Sequence, residues 1–473
     1  MSTTFPTVSV DGKALKLSSG DRFMANGVCL QPGKDISFYD YPLSDTNYNY
    51  TNTELLPYLK DLNINMIRVY QIDLTASHDK TMKLLEDNGI YVMLEVENKE
   101  ICIKSLTPDY NYQLYMRGIQ VIDLFQKYPN TLAFSVGNKT EDPGYIYSMN
   151  NSVEETVQIQ KNIAAALKSF IRDLKTYINS KGYRAIPVGV AIRDVFQSSV
   201  VPAGLIGTDI CAEYYAGGTN AAERADFIGL NTYRYVTAED PKKDPLTCYD
   251  NIVKKWSGMP IPIIFSEIGA ISAVKTWKRD WAIITQMYTE KKLYENFSGQ
   301  IAFSFFNEKN NLGLYIQNED QSGNFSKTAK GGVSALEAQF QHVSGLASLP
   351  IPENPPASAP NPSTCDPALL ASFSPPTTSI TMENLSTANL VAVQGNAIMG
   401  KITGAPSNGV KTPTTLNINT TDNLELFIQR EPGPGHTTWE NSCTLAAVDV
   451  ETLSDGAVIN NENWEGACKV ITT

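Results

Sequence analysis

Short runs of apolar residues alternate with longer segments of helical periodicity from about residue 20 to about residue 340. Each run is nearly continuous in apolar character, as expected for parallel strands that are buried on both faces. Their alternation with helices predicts an α/β fold built from βα units, and eight strands predict a (β/α)8 TIM barrel. The runs are FMANGVCL (23–30), INMIRVY (64–70), IYVMLEVE (90–97), LAFSVGN (132–138), AIPVGVAI (185–192), ADFIGLNTY (225–233), IPIIFSEIG (261–269) and QIAFSFFNE (300–308).

Two of the predicted helices have ends that can be read from the sequence. Ser152 and Glu155 form a capping-box pattern, in which each side chain can accept a hydrogen bond from the other residue's exposed amide. Apolar residues at helical spacing follow, and Gly182 supplies the stop. A shorter helix is predicted over 81–88, where Gly89 ends it directly before the third strand.

The composition changes near residue 346, where proline, serine and asparagine become frequent. Such a segment is typical of a semi-extended linker. Beyond it, runs such as NLVAVQGNAIMGKI and LELFIQ predict a small β-rich module that could bind carbohydrate or serve only as a spacer. We therefore predict a barrel domain over 1–345, a linker over 346–377 and the β-rich module over 378–473.

The charge and the terminal sequences limit the possible partners and compartments. A net charge of −12 with no basic stripe opposes nucleic-acid binding. No stretch of 18 apolar residues is present, so we expect no transmembrane segment. MSTTFPTVSVDGK has no signal-peptide pattern and GACKVITT has no anchor signal, which leaves a cytosolic protein or a processed mature form. The compartment stays unknown on this reading, and we expect a monomer.

Cysteine and histidine usage favours neither a metal site nor a cofactor. The chain has three histidines and no CxxC motif, so a zinc site is not expected. Cys443 and Cys468 could close a loop, although free thiols are an equal alternative. The seven cysteines are Cys29, Cys102, Cys211, Cys248, Cys365, Cys443 and Cys468.

The ends of the predicted strands carry the candidate chemistry, because active sites of such barrels lie at the C-terminal ends of the strands. Carboxylates, amides and tyrosines around one mouth favour a sugar, since the polar groups bind hydroxyls and aromatic faces stack on the ring. No phosphate-binding GxxxxGK[ST] or GxGxxG motif is present. In strand order the residues are Gln31, Arg68, Tyr70, Glu95, Glu97, Asn138, Lys139, Arg193, Asp194, Asn231, Tyr233, Arg234, Glu267, Asn307 and Glu308.

Glu267 is the candidate nucleophile of a retaining glycosidase. Such enzymes need two carboxyl groups about 5–5.5 Å apart, one as nucleophile and one as acid/base. An isolated glutamate at a strand end more often serves in a structural salt bridge, so the assignment depends on its context. Asn138 would contact the sugar 2-hydroxyl, and the acid/base would be residue 139, which is lysine.

Several motifs resemble those of the fungal β-1,3-glucanosyltransferases, glycoside hydrolase family 72. They are NGVCLQPG (26–33), PYLKDLNINMIRVY (57–70), YRAIPVGV (183–190), ADFIGLNTY (225–233) and IPIIFSEIGA (261–270), in the family's order. The resemblance covers roughly residues 8–345. It implies a retaining transglycosylase that cleaves β-1,3-glucan internally and joins the new end to another chain, and a protein of the fungal cell wall.

The resemblance also implies roles for individual residues. Glu267 matches the nucleophile, Asn138 the asparagine before the acid/base, and Gln31, Tyr70 and Tyr233 match positions that line the sugar cleft. We add Asn231 and Glu308 as predicted sugar-binding residues. The departures are Lys139 in place of the family's glutamate, Leu30 before Gln31, Phe305 and Leu312 in place of tyrosines, and the loss of most cysteines and of the cysteine-rich carbohydrate-binding module.

Lysine at position 139 predicts an ion pair with Glu267 rather than a catalytic dyad. A protonated ammonium is a poor proton donor near neutral pH, and the loss of general acid/base catalysis costs about 10²–10⁴ in rate. Glu95, Glu97, Glu141 or Glu308 could replace the acid, and a deprotonated Lys139 could act as a base, although Glu267 opposes its deprotonation. Arg68 is expected to be a structural partner of one of the acids.

Three hypotheses follow. The first is a protein that binds β-1,3-glucan or a related oligosaccharide and whose transglycosylase activity is impaired or lost. The second is an active glucanosyltransferase that uses Glu267 and a substitute acid. The third is a non-catalytic interaction scaffold.

Overall fold

A computed structural model of the chain describes residues 5–30, 41–195, 202, 205, 212–218, 220–234, 252–270, 279, 281–307, 311–317 and 325–353, and the backbone of eight strands between residues 379 and 471. A three-stranded antiparallel sheet precedes the barrel. Its strands are short and were not predicted from the apolar pattern. They are Val8–Asp11 (β1), Ala14–Leu17 (β2) and Arg22–Phe23 (β3).

Eight parallel strands close into a barrel, which confirms the predicted fold. Each strand falls within a predicted apolar run or extends beyond it by one residue. Every residue of β4 to β10 is buried except the last residues of β7 and β8, which are half-buried. The strands are Ala25–Leu30 (β4), Met66–Val69 (β5), Tyr91–Glu95 (β6), Thr131–Asn138 (β7), Val188–Arg193 (β8), Ile228–Asn231 (β9), Ile263–Ile268 (β10) and Gly299–Ala302 (β11).

The eighth barrel strand is shorter than predicted. The run QIAFSFFNE suggested a strand to residue 308, but β11 ends at Ala302. Beyond it the pairing is shared with a second segment. The amides of Phe303 and Phe305 still donate to Ile268 O and Cys29 O of the neighbouring strands, whereas those of Ser304 and Asn307 donate to Leu312 O at 3.2 Å and Tyr315 O at 2.8 Å. An antiparallel hairpin follows, made of Tyr315–Gln317 (β12) and Phe325–Lys327 (β13).

Helices lie between the barrel strands, as predicted. The capping box is present: Glu155 N donates to Ser152 Oγ at 3.1 Å, and Ser152 N donates to Glu155 Oε2 at 2.7 Å. The helix that it begins ends at Ser180, just before Gly182 turns the chain with a φ of 64°. The helices are Tyr48–Tyr50 (α1), Leu56–Asp61 (α2), Asp79–Asp87 (α3), Tyr112–Phe125 (α4), Pro143–Ser148 (α5), Val153–Ser180 (α6), Ala212–Ala216 (α7), Ile283–Thr289 (α8), Lys291–Tyr294 (α9) and Val333–Ser344 (α10).

The interior of the barrel is apolar near the N-terminal ends of the strands and polar near the mouth. Met66 and Met93 belong to a buried apolar cluster together with Phe227 and Ile264. Side chains two residues apart on a strand share a face, so Arg68 follows Met66 and Glu95 follows Met93 toward the mouth. The alternation of inward positions therefore places a charged layer directly above the apolar one.

β structure is present between residues 379 and 471, within the region where the sequence predicted it. Its described strands form two four-stranded sheets, ordered β17-β14-β21-β20 and β16-β15-β18-β19, with antiparallel neighbours. No described helix is long and apolar enough to cross a membrane. The strands are Ser379–Asn384 (β14), Asn389–Gln394 (β15), Ala397–Ile402 (β16), Thr414–Asn417 (β17), Leu424–Gln429 (β18), Trp439–Leu445 (β19), Val458–Asn460 (β20) and Ala467–Ile471 (β21).

Candidate active site at the barrel mouth

Glu267, the penultimate residue of β10, is fully buried and has four polar neighbours. Lys139 Nζ donates to its Oε2 at 2.7 Å, and the Tyr233 hydroxyl donates to the same oxygen at 2.8 Å. The Tyr70 hydroxyl donates to Oε1 at 3.0 Å, and Arg68 Nη1 lies 3.6 Å from that oxygen. Burial opposes ionisation of Glu267, but the charges of Lys139 and Arg68 and the hydrogen bonds hold its pKa below the usual value. The Glu267 carboxyl group is therefore ionised near neutral pH, and both of its oxygens already accept hydrogen bonds from protein side chains.

Lys139 reaches Glu267 from a tight turn at the end of β7. Gly137 and Lys139 both have left-handed backbones, with φ of 65° and 58°, and the Lys139 amide donates to Ala191 O at 3.0 Å. The ammonium lies 5.5 Å from the centre of the Phe303 ring, and 32% of the side chain is exposed. The ion pair expected from the sequence is present, and one side of it faces the barrel mouth.

Irregularities in the β7–β8 and β9–β10 pairings change the direction of polar side chains at the ends of β7 and β10. The register shifts between Val136 and Asn138, and again between Ile264 and Glu267. Such irregularities re-aim side chains near the rims of barrels. As a result, the consecutive residues Ser266 and Glu267 both reach partners inside the barrel.

Asn138 and Asn231 meet across the mouth. Asn231 Nδ2 donates to Asn138 Oδ1 at 2.9 Å. Asn231 Oδ1 accepts from Arg68 Nη1 at 3.2 Å and from Ser266 Oγ at 3.0 Å. The hydrogen bonds fix the Asn231 amide, which in turn orients Asn138 beside Lys139.

Arg68 is the structural partner that the sequence suggested. Its Nε donates to Glu95 Oε1 at 2.7 Å, and a second guanidinium nitrogen contacts the same oxygen. Both side chains are buried. Burial raises the pKa of Glu95 despite the pairing with Arg68. Because Glu95 is held in an ion pair with Arg68, it is poorly placed to act as the substitute acid.

A cavity of about 280 Å³ opens beside the Lys139–Glu267 pair. Among the proposed substitute acids it is lined by Glu95 and Glu97, whereas Glu141 is not one of its lining residues. Burial and the neighbouring Glu95 charge raise the pKa of Glu97 to about 8. The lining residues are Tyr70, Gln71, Glu95, Glu97, Asn98, Lys99, Cys102, Ile103, Ser105, Asn138, Lys139 and Thr140.

The remaining residues predicted at the mouth have partners other than Glu267 or lie outside the part of the chain that the structure describes. Gln31 and Glu308 lie outside the described residues. Arg193 pairs with Asp142, and Asp194 accepts from Arg234 Nε at 2.6 Å, so these charges form salt bridges along the rim. Asn307 lies beyond the end of β11, where its Oδ1 accepts from the Gly313 amide at 3.1 Å.

The sequence analysis missed Cys29 and Phe303 as neighbours of the site. The Tyr70 hydroxyl lies 3.2 Å from Cys29 Sγ, and burial raises the pKa of this thiol to about 12. Cys29 precedes Gln31 by two positions, so strand alternation could have indicated its inward direction. Phe303, whose ring centre lies 5.5 Å from Lys139 Nζ, fell within the predicted eighth strand, but β11 ends one residue before it, so strand alternation did not indicate where its side chain lies.

Comparison with known proteins gives the same assignment as the motifs. A sequence model of the Glucanosyltransferase family, glycoside hydrolase 72, matches residues 1–344. The chain belongs to this family. Similar members include 1,3-beta-glucanosyltransferase GAS5 of Saccharomyces cerevisiae, 32% identical over 312 residues, and gas5 of Schizosaccharomyces pombe, 32% identical over 320 residues. These alignments cover 65% and 66% of this chain but only 58% and 57% of the two relatives, so this glucanosyltransferase family member spans under two thirds of their length.

The fold of this family member also matches solved structures. Saccharomyces cerevisiae Gas2p, in complex with laminaritetraose and laminaripentaose, superposes with a TM-score of 0.59 at 26% identity. The match covers 77% of this chain and 76% of Gas2p. A complex of Gas2 with a small molecule, compound 11, gives a TM-score of 0.60 at the same identity. The barrel architecture is thus shared with a family member that binds laminari-oligosaccharides.

Proposed function

We propose that the barrel mouth binds β-1,3-glucan oligosaccharides and that Lys139 impairs the transglycosylase reaction of the family. The named glucanosyltransferase relatives and the laminari-oligosaccharide complex of Gas2p support the substrate class. The amides and tyrosines around Glu267 supply hydrogen-bonding groups suited to sugar hydroxyls. We place this function in residues 1–345, with 346–377 as a linker and 378–473 as a separate module.

The observation that carries the proposal is the 2.7 Å contact between Lys139 Nζ and Glu267 Oε2. A retaining reaction needs a carboxylic acid near the nucleophile to protonate the leaving oxygen and then deprotonate the acceptor hydroxyl. A protonated lysine cannot accept a proton and donates one poorly. Its charge also opposes the oxocarbenium-like transition state by about 1–4 kcal/mol at effective dielectrics of 80 to 20.

The remaining assignments belong to the same proposal. Glu267 takes the nucleophile position, but its attack on an anomeric carbon requires that Lys139 release Oε2. Asn138 and Tyr70 contact the sugar beside it. The other proposed sugar contacts are Gln31, Asn231, Tyr233 and Glu308.

A transglycosylation assay on laminari-oligosaccharides tests the proposal, with binding measured in parallel by calorimetry. We expect the wild-type protein to bind the oligosaccharides and to form few or no longer and shorter chains. Lys139→Glu should raise the transfer rate by about 10²–10⁴, because it restores the proton donor. Lys139→Met is the matched control, since it frees Glu267 of the ammonium but supplies no acid, and it should stay inactive.

One observation favours a second candidate, an active transferase with a substitute acid. Glu97 lines the cavity next to Lys139, and its pKa of about 8 keeps it protonated at pH 5–7. In that case the wild-type protein would match Lys139→Glu in transfer rate, and Glu97→Gln would abolish turnover. A wild-type protein that neither binds nor converts the oligosaccharides would contradict both enzyme-derived functions and leave the scaffold hypothesis.

A further inference from the structure

Glu97 occupies an unusual environment for a carboxyl group at a barrel mouth. It lies two residues beyond Glu95, just past the end of β6, and both side chains line the same cavity. Its exposed fraction is only 8%. Unlike Glu95, it has no salt bridge to another described residue, and its Oε1 has no hydrogen-bond partner in the described part of the chain.

A buried polar atom without a partner is costly unless a ligand or water satisfies it. Glu97 lines the same cavity as Lys139 and Tyr70, which both contact Glu267. The volume of this cavity, about 280 Å³, is close to the lower end of the range usual for small-molecule sites, which suits one small ligand unit. A ligand unit in this space would meet Glu97 and the Lys139–Glu267 pair together.

The surroundings of Glu97 keep its carboxyl group neutral near pH 6. Burial is the main cause, and the charge of Glu95 adds to it, whereas the Ile103 amide and the Arg117 and Lys104 charges act in the opposite direction. A neutral carboxyl group can donate one hydrogen bond and accept another, which matches the hydroxyl and ring oxygens of a sugar. The charged or titratable groups that face it or share its cavity are Glu95, Lys99, Cys102, Lys104, Arg117, Lys139 and Tyr70.

We propose that Glu97 is a ligand-binding residue whose protonated carboxyl group donates a hydrogen bond to one neutral sugar unit in this cavity, and this rests on the glucan-binding function proposed above. The residue acts in recognition, and no bond of the ligand is made or broken there. Ionisation of Glu97 would remove the donated hydrogen and place a second negative charge beside Glu95. Binding should therefore weaken as the pH rises through the pKa of about 8.

Calorimetric titration with laminaripentaose at pH 6 and pH 9 tests the inference. If only the protonated form binds, the Kd of the wild-type protein should rise about tenfold between these pH values. Glu97→Gln keeps a donor and an acceptor but cannot ionise, so its Kd should stay within about threefold of the wild-type value at pH 6 and should not change with pH. Glu97→Leu should bind about tenfold more weakly than wild type at pH 6.

Glu100→Gln is the matched control, because Glu100 is exposed, lies in the same loop and does not line the cavity. It should reproduce the wild-type pH dependence. Melting temperatures of all variants show whether each is folded at both pH values. Wild-type binding that does not change with pH, or a pH dependence that persists in Glu97→Gln, would overturn the role of Glu97 alone. An absence of wild-type binding at both pH values would overturn the proposed function as well.

Discussion

The mouth of the barrel contains two regions that differ in how their charges are satisfied. The floor cluster, which we define as Arg68, Glu95, Asn231, Ser266 and Glu267, is buried and densely hydrogen-bonded. The rim pair, Glu97 and Lys139, consists of a carboxyl group without a salt bridge to a described residue and a lysine that is 32% exposed. The floor cluster is held by its own hydrogen bonds and ion pairs, whereas the proposed departures in chemistry lie on the rim pair. Substitutions in the two regions should therefore differ in size and in pH dependence.

The largest effect is expected from Arg68→Met. It would leave Glu95 buried without its partner, which should lower the free energy of unfolding by about 3–5 kcal/mol at pH 7. The loss should shrink near pH 4–5, because an unpaired buried carboxylate becomes neutral by taking up a proton. Urea denaturation at both pH values measures this. A loss under about 1 kcal/mol at pH 7 would mean that the floor cluster does not depend on the Arg68–Glu95 ion pair.

Glu97→Gln should change stability in a pH-dependent way. The pKa of Glu97 in the folded protein is about 8, above the ordinary glutamate value of 4.5, so the wild-type protein loses stability as the pH rises from about 4.5 to 8. Glutamine has no such titration. The stability of the variant relative to wild type should thus rise by up to about 3 kcal/mol between pH 5 and pH 8. Urea denaturation of both proteins at pH 5 and pH 8 measures this. If the difference in the free energy of unfolding between variant and wild type is the same at both pH values, the Glu97 carboxyl is well solvated.

Tyr233→Phe removes one hydrogen bond from Glu267 without changing the volume of the ring. Because the acceptor is charged and buried, the free energy of unfolding should fall by about 1.5–2 kcal/mol. Tyr70→Phe is the natural comparison, since Tyr70 donates to the other carboxylate oxygen. Denaturant titration of both variants measures the change, and an unchanged midpoint for Tyr233→Phe would place its hydroxyl outside the network.

Lys139→Met should have the smallest effect on stability, about 1 kcal/mol or less at pH 7. Glu267 keeps Arg68, Tyr70 and Tyr233, and water can replace an ammonium on the exposed side. Lys139 and Arg68 lower the pKa of Glu267, so the stability that this provides is present above about pH 4.5 and is lost as the pH falls through the folded pKa. The variant should therefore begin acid unfolding at a higher pH than wild type, as followed by circular dichroism. A cost as large as that of Arg68→Met would erase the distinction between floor and rim.

The fold could be predicted further than the details of the site. Eight apolar runs indicated the barrel, because strands buried on both faces must be continuously apolar. The sheet β1–β3 was missed because strands as short as Arg22–Phe23 leave too little periodic pattern. The eighth strand was extended too far because its apolar character continues after the backbone turns toward residues 312–315.

Within the site, the Lys139–Glu267 contact could be predicted because both residues end strands whose mouth positions the family resemblance defines. The hydrogen bond between Asn138 and Asn231 depends on a ladder irregularity that no residue pattern reports. The elevated pKa of Glu97 depends on how tightly the loop after β6 covers it, which the sequence does not specify. The hydrogen-bond partners and the burial of the site residues thus required the structure, whereas the identity of the eight barrel strands did not.

The left-handed backbone at Lys139 determines which residues this position can exchange without remaking the turn. A φ of 58° disfavours β-branched side chains, but lysine and glutamate are both unbranched at Cβ and bear the same backbone cost there. Their codons differ by a single base. A gene of this kind could therefore pass between the cationic and the acidic state in one nucleotide change, with the supporting loop left as it is, and the two states are evolutionary neighbours.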